Sequence, residues 1–133
     1  MIFVDSSVWI DFFNGTLSAE TNKLDSLLGT EPIGLGDLVL IEVLQGFRHD
    51  RDYNTAKELL TSLTVFELGG KNIAINSADN FRFLRKKGVT VRKTVDVLIA
   101  TFCINNDIPL LYSDKDFEPF HLHLKLRNAI SDT

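Results

Sequence analysis

Residues 94–117 read TVDVLIATFCINNDIPLLYSDKDF, and the architecture of the chain follows from them. Val95, Leu98, Ile99 and Phe102 recur at i, i+3, i+4 and i+7, one apolar stripe, which predicts an amphipathic helix. Asn105 to Pro109 breaks it. Pro109 to Tyr112 is a short apolar run closed by Ser-Asp-Lys-Asp; after a helix, such a run reads as a buried parallel strand. Asp96 falls at the helix start and Asp114 just past the carboxyl end of the strand. Ligand sites of open α/β sheets lie outside those strand ends, so this stretch can bring two carboxylates to one rim.

The flanking sequence repeats the alternation. Met1 to Val4 is a β-prone run ending in Asp5-Ser6-Ser7, and VWIDFF then starts a short helix whose Trp9, Phe12 and Phe13 are core or a partner's seat. Thr16 to Leu28 predicts a helix with Leu17, Leu24 and Leu28 facing in and Gly29 as its C-cap. Ile33 to Leu35 is a second strand. Asp37 to Arg48 is a helix with Asp37 as N-cap; from Leu38 to Leu44 only Glu42 is polar, which predicts burial all round. Arg51 to Leu63 is helical, Thr64 to Leu68 a strand, and Asn72 to Lys87 a longer helix with Ala74, Ala78, Phe81 and Leu84 facing in. His121 to Leu126 alternates polar and apolar, the period of a half-buried edge strand. Strands alternating with helices give an α/β fold, a central parallel sheet of about five strands flanked by helices on both faces. At 133 residues the chain is expected to be a single domain, 1–133.

With 44% hydrophobic and 24% charged residues, the composition is that of a soluble globular protein. Apolar runs are too short to span a membrane. Asp5 and Asp11 fall where a signal peptide would be apolar, and the single Cys103 cannot form an internal disulfide, so a cytoplasmic location is expected. The net charge of −4 argues against a general positive field for nucleic acid. Yet Arg82, Arg85, Lys86, Lys87, Arg92 and Lys93 fall in a stretch with no acid, either a solvated helix end or a patch that contacts phosphates beside Asp96.

Each acid alone has an ordinary reading. Asp5 can cap a helix. Glu42 can lie on an exposed stripe or pair with Arg48 or Arg51. Asp96 suits a helix N-terminus, and Asp114 and Asp116 suit turns. Their joint placement carries more, since two are at strand ends, one opens a helix and one interrupts an apolar helix. At an effective dielectric of ~20, two charges about 5 Å apart repel by roughly 3 kcal/mol. Four converging acids would need cations, and hard oxygen donors suit Mg²⁺ or Mn²⁺. Such a pocket is apparatus for phosphodiester hydrolysis.

Strand-Asp-Ser-Ser at the start, Glu42 in EVLQG, Asp96 in TVDVLIA and Asp114 in SDKDF together resemble the PIN-domain pattern in type, order and spacing, over the whole chain. Length and compactness look like a VapC-type toxin, the ribonuclease half of a toxin–antitoxin pair. The resemblance implies an Mg²⁺- or Mn²⁺-dependent endoribonuclease acting on RNA, inhibition of translation, a homodimer, and a cognate VapB-like antitoxin. It assigns Asp5, Glu42, Asp96 and Asp114 to the catalytic, metal-binding core, with Asp116 as a supporting fifth acid. Ser6 or Ser113 would hydrogen-bond a carboxylate or a coordinated water, and Arg85, Lys86, Lys87, Arg92 and Lys93 would contact RNA.

Rival readings fare less well. A phosphotransfer receiver needs paired acids after its first strand, where this chain has Asp5-Ser6-Ser7. A D-x-D phosphatase meets Ser7 at its second acid. A Ca²⁺ loop from Asp114 has Pro119 where Gly is required. His121 and His123 lack a third ligand nearby for a metal. A non-catalytic α/β binding module, with acids as caps and turns, remains the alternative from another class, beside a PIN-type processing nuclease without an antitoxin.

Overall fold

Successive residues of a strand point to opposite faces of a sheet, and Phe3 and Val4 both have no exposed surface, so both faces of the first strand are covered. The computed structural model describes residues 1–131. Four strands, β1 (Ile2–Val4), β2 (Ile33–Gly36), β3 (Thr64–Phe66) and β4 (Leu110–Leu111), form one sheet in the order β3-β2-β1-β4. Every pairing is parallel, with Ile2 opposite Ile33, Phe3 opposite Leu110 and Gly34 opposite Thr64. The helices are α1 (Ser6–Phe13), α2 (Ala19–Leu27), α3 (Asp37–Leu44), α4 (Asp50–Thr61), α5 (Lys71–Lys86), α6 (Thr94–Asn105) and α7 (Glu118–Leu124). None is long and apolar enough to cross a membrane.

Packing explains the sheet's short, small-residue strands. A Cβ on Gly34 would come 2.6 Å from the Phe66 ring, and one on Gly36 would strike the buried Leu68 side chain. The Phe66 ring in turn meets Phe102 of α6 at 5.2 Å between centroids, and Phe3 meets both. That cluster fixes α6 against β1. Trp9 is wholly buried, while Phe12 and Phe13 are part-exposed and Phe13 meets Phe47 edge-on.

The parallel α/β architecture is as expected, with four strands in place of five. The predicted fifth strand, His121 to Leu126, lies mostly in α7. A proline in the first turn starts that helix, Phe117 and Phe120 are fully buried, and Leu122, predicted to face in, is 70% exposed. Period two and period three-to-four both fit so short a segment, and burial of Phe120 selects the helix. Residues 127–129 border β4 instead, by the isolated bridge from Leu110 to Asn128.

Three further expectations change. Leu17 precedes α2, which Ser18 caps through the Thr21 N–H, and is 87% exposed. Ala74 and Ala78 are exposed, lining an open apolar groove of about 400 Å³ with Phe81, Val97 and Leu98. Gly36, not Asp37, holds the N-cap position of α3, whose Ile41 is 57% exposed, so the helix is not buried all round. The Asp37 carboxylate instead accepts from the Leu38 and Leu68 N–H groups, tying α3 to the end of β3.

Candidate active site

The chain leaves β1 toward β2 on one side and later returns to place β4 on the other side of β1. In a parallel sheet this reversal opens a crevice at the carboxyl ends of β1 and β4. Asp5 follows β1 there. Ser113 and Asp114 follow β4 by two and three residues, and the Asp5 N–H donates to the Leu111 carbonyl, locking the two strand ends together.

Asp5 is 2% exposed and caps α1. Its Oδ2 accepts from the Ser7 N–H at 3.1 Å and the Ser7 hydroxyl at 2.7 Å, while Oδ1 has no hydrogen-bond partner. The capping role thus engages one oxygen and leaves the other without a hydrogen bond. Asp96 sits in the first turn of α6, 6% exposed, again with an unpartnered oxygen, Oδ2. Asp114 caps the 3-10 turn Lys115–Phe117 by accepting from the Asp116 N–H. That turn swings Asp116 back, so Asp96, Asp114 and Asp116 each offer an oxygen within 4.8 Å of the others. Glu42, one turn into α3, is half-buried and accepts from the Ser6 hydroxyl at 3.3 Å.

The electrostatics show how close the acids lie. Burial, then the Asp5 and Asp114 carboxylates, push the Asp96 carboxyl up to about 7. Burial raises Asp5 above the ordinary carboxylate range, against the Ser7 hydrogen bonds, with Asp114 adding to the rise. Burial and then Asp5 raise Glu42. Lys93 opposes the rise at both Asp96 and Glu42. Its ammonium lies 4.0 Å from Asp114 Oδ2, and the Arg92 guanidinium 3.5 Å from Asp116 Oδ2. From the same basic run, Arg85 and Lys87 lie over the rings of Phe81 and Phe83 on their own helix.

Asp96, Asp114 and Asp116 form the tight group, so Asp116 stands closer to the centre than its reading as a fifth, supporting acid. Asp5 couples by charge to all of Asp96, Asp114 and Glu42. The Ser6 hydroxyl bonds a carboxylate; the buried Ser113 hydroxyl has no hydrogen-bond partner, and Ser113 contributes its N–H. His121 Nδ1 is 2.7 Å from the Leu126 carbonyl, a helix-end contact remote in role from the acids.

Ser7 is the residue that sequence reading missed. Its hydroxyl donates to Asp5 and accepts from the Ser113 N–H at 3.2 Å, joining the β1 and β4 ends through one atom. The clue was present: a Ser two residues after a capping Asp lies over the cap. Ser7→Ala is expected to lower stability by about 1–2 kcal/mol, since it leaves the Ser113 N–H unsatisfied and frees Asp5. Urea denaturation checks this, and an unchanged midpoint would remove Ser7 from the site's framework.

The donor set fits a hard divalent cation. All the donors are carboxylate oxygens, and Asp5 Oδ1, Asp96 Oδ2 and Asp116 Oδ2 are buried without a hydrogen bond. Three carboxylate oxygens within 4.8 Å are nearly at the spacing of ligands on one small ion.

Comparison with known proteins agrees in fold and family. A family model described as PIN domain matches residues 2–120. Ribonuclease VapC11 of Mycobacterium tuberculosis and VapC ribonuclease Mb1587 of Mycobacterium bovis are each 28% identical over 120 residues, 89% of this chain and 90% of the relative. Among solved structures, VapBC2 from Rickettsia felis bound to a promoter DNA fragment superposes with a TM-score of 0.69 at 18% identity, covering 89% of this chain and 91% of that one. A toxin–antitoxin complex from Klebsiella pneumoniae gives 0.68 at 17% identity, covering 88% and 90%. VapC20 of Mycobacterium tuberculosis, described as a toxin that cleaves the sarcin–ricin loop, gives 0.64 at 19% identity, covering 89% and 93%.

Proposed function

This chain belongs to the PIN-domain family, and on that premise we propose that it is a divalent-cation-dependent endoribonuclease, a VapC-type toxin restrained by a VapB-like antitoxin. The observation that carries the reading is the convergence of Asp96, Asp114 and Asp116 beside the buried Asp5, four acids from three separate parts of the chain at one crevice. The names of the curated relatives support RNA as substrate, and the neighbouring toxin–antitoxin complexes support the antitoxin. The same reading takes residues 1–133 as one nuclease domain, cytoplasmic and homodimeric.

In this mechanism Asp5, Asp96, Asp114 and Asp116 would hold Mg²⁺ or Mn²⁺, with Glu42 completing the donor set. When bound there, the cation supplies Lewis-acid polarisation of the phosphodiester and activation of a water. The protein's part is orientation. Ser7 keeps Asp5 in one rotamer, and Ser6 does the same for Glu42. Both hydroxyls donate to carboxylates and act here as positioning groups, with water as the nucleophile. Water's oxygen forms the new bond to phosphorus, one backbone P–O ester bond breaks, and the leaving oxygen takes up a proton. Arg92 and Lys93, with Arg85, Lys86 and Lys87 farther along, give the flanking phosphates a cationic track.

The purified protein is expected to cleave RNA with Mg²⁺ or Mn²⁺, and excess EDTA to abolish cleavage until the ion is restored. Full activity in EDTA would overturn the reading.

A further inference from the structure

We propose that Arg92 and Lys93 are exchangeable counter-charges, each resting on a carboxylate of the acidic cluster in the metal-free protein and passing to an RNA phosphate once a divalent cation is bound. The inference rests on the nuclease reading above and assigns these two residues a positioning role within it.

Their place in the chain is the first argument. Lys93 occupies the N-cap position of α6 and Arg92 precedes it. A helix N-terminus favours anions, so two consecutive cations there are unfavourable for α6 itself. Lys93 makes no side-chain capping bond that would compensate. The acids across the crevice account for both residues. Lys93 reaches Asp114 at 4.0 Å and acts by charge on Asp96 and Glu42, while Arg92 reaches Asp116 Oδ2 at 3.5 Å.

The pairs are also easy to break. The Lys93 side chain is 63% exposed and that of Arg92 81%, and Asp116 Oδ2 makes no hydrogen bond despite its neighbour. Exposed ion pairs of this kind are weak. Their carboxylate partners are far less exposed, at 29% and 23%. Deeper in the same crevice lie Asp5 and Asp96, each more than nine-tenths buried with an unpartnered oxygen. The fixed part of the arrangement is therefore the acids, and the mobile part is the cations.

A divalent cation on those acids repels Lys93 and Arg92, whereas an RNA phosphate brought to it attracts them. The flexible Lys93 stem and the forked Arg92 guanidinium can follow the phosphate without moving the backbone. The two side chains thus oppose metal loading and favour substrate, which discourages cation uptake in the absence of RNA.

The test separates these two signs. Mn²⁺ is titrated calorimetrically into wild type, Lys93→Gln, Lys93→Arg and Asp96→Asn without RNA, and KM for an RNA oligomer is measured at saturating Mn²⁺. Lys93→Gln is expected to bind Mn²⁺ about 3–10-fold more tightly, from removal of one charge near the ion, and to show a KM raised several-fold. Lys93→Arg is expected to restore both values. Mn²⁺ binding by Lys93→Gln that is unchanged or weaker, or an unaltered KM, overturns the exchange while leaving the nuclease reading standing. Wild type that binds no Mn²⁺, or binding that Asp96→Asn does not weaken, overturns both.

Discussion

Asp96→Asn is expected to lose RNA cleavage by about a thousandfold or more while making the metal-free protein more stable at pH 8. The two effects have one cause. Asparagine keeps the shape of Asp96 but removes its charge, and with it, on the proposed reading, a ligand for the cation. On that reading several kcal/mol of transition-state stabilisation would depend on the ion, and each 1.4 kcal/mol is about tenfold in rate. The same charge is a burden in the folded protein when no ion is bound. Asp96 is 6% exposed, and burial with Asp5 and Asp114 holds its carboxyl near 7. Against an ordinary value near 3.8, keeping it ionised at pH 8 costs on the order of 4 kcal/mol. Asp114 and Asp116 oxygens lie within 4.8 Å of the Asp96 carboxylate, so removing its charge also relieves their mutual repulsion. Initial cleavage rates with Mn²⁺ and urea melts in EDTA measure both halves. A rate within a few-fold of wild type, or a variant less stable than wild type at pH 8, would sink the argument.

The metal-free protein is expected to become less stable, relative to that variant, as pH rises from 5 to 8. For a raised carboxyl the sign runs opposite to that of a salt-bridged one. Near pH 3 the Asp96 carboxyl is protonated in both folded and unfolded chains, and nothing is lost. Between roughly 4 and 7 the unfolded chain releases this proton while the folded chain retains it, so stability falls by up to about 1.4 kcal/mol per pH unit. Above 7 the loss is complete and the curve flattens. Asp5 and Glu42 are raised as well and act in the same direction. Comparison with Asp96→Asn cancels the rest of the titrating surface. The gap between the two melting temperatures should widen by on the order of 10 °C over this range in EDTA. Mn²⁺ should close it for wild type, because an ion favours the ionised carboxylate. Thermal melts at pH 5, 6, 7 and 8 with and without Mn²⁺ provide the check; a gap that is flat in EDTA would place Asp96 outside the acidic cluster.

Where sequence reading succeeded, local pattern and burial agreed. Ile2 to Val4, Ile33 to Gly36 and Leu110 to Leu111 are apolar because both sheet faces are covered, and apolar runs between turn residues declare that in one dimension. It failed where two periods fitted equally, as at His121 to Leu126, where burial of Phe120 settled a helix. It also failed where small residues faced a groove: Ala74 and Ala78 carry the right spacing for a core face but line an open surface. Spacing reports which residues share a face and is silent on what covers it.

The candidate site divides along the same line. Sequence alone determined which acids are candidates, since Glu42 interrupts an apolar helix, Asp96 opens one, and Asp5 and Asp114 follow strands. It could not set distances among them, because they meet only through the pairing of β1 with β4 and the packing of α6 beside β1. Tertiary structure alone brought Asp116 into the tight group through a 3-10 turn, made Ser7 the joint between two strand ends, and set Lys93 and Arg92 over the acids. The reason is physical: the identity of a charge is written along the chain, but its energy depends on the burial and neighbours that folding supplies.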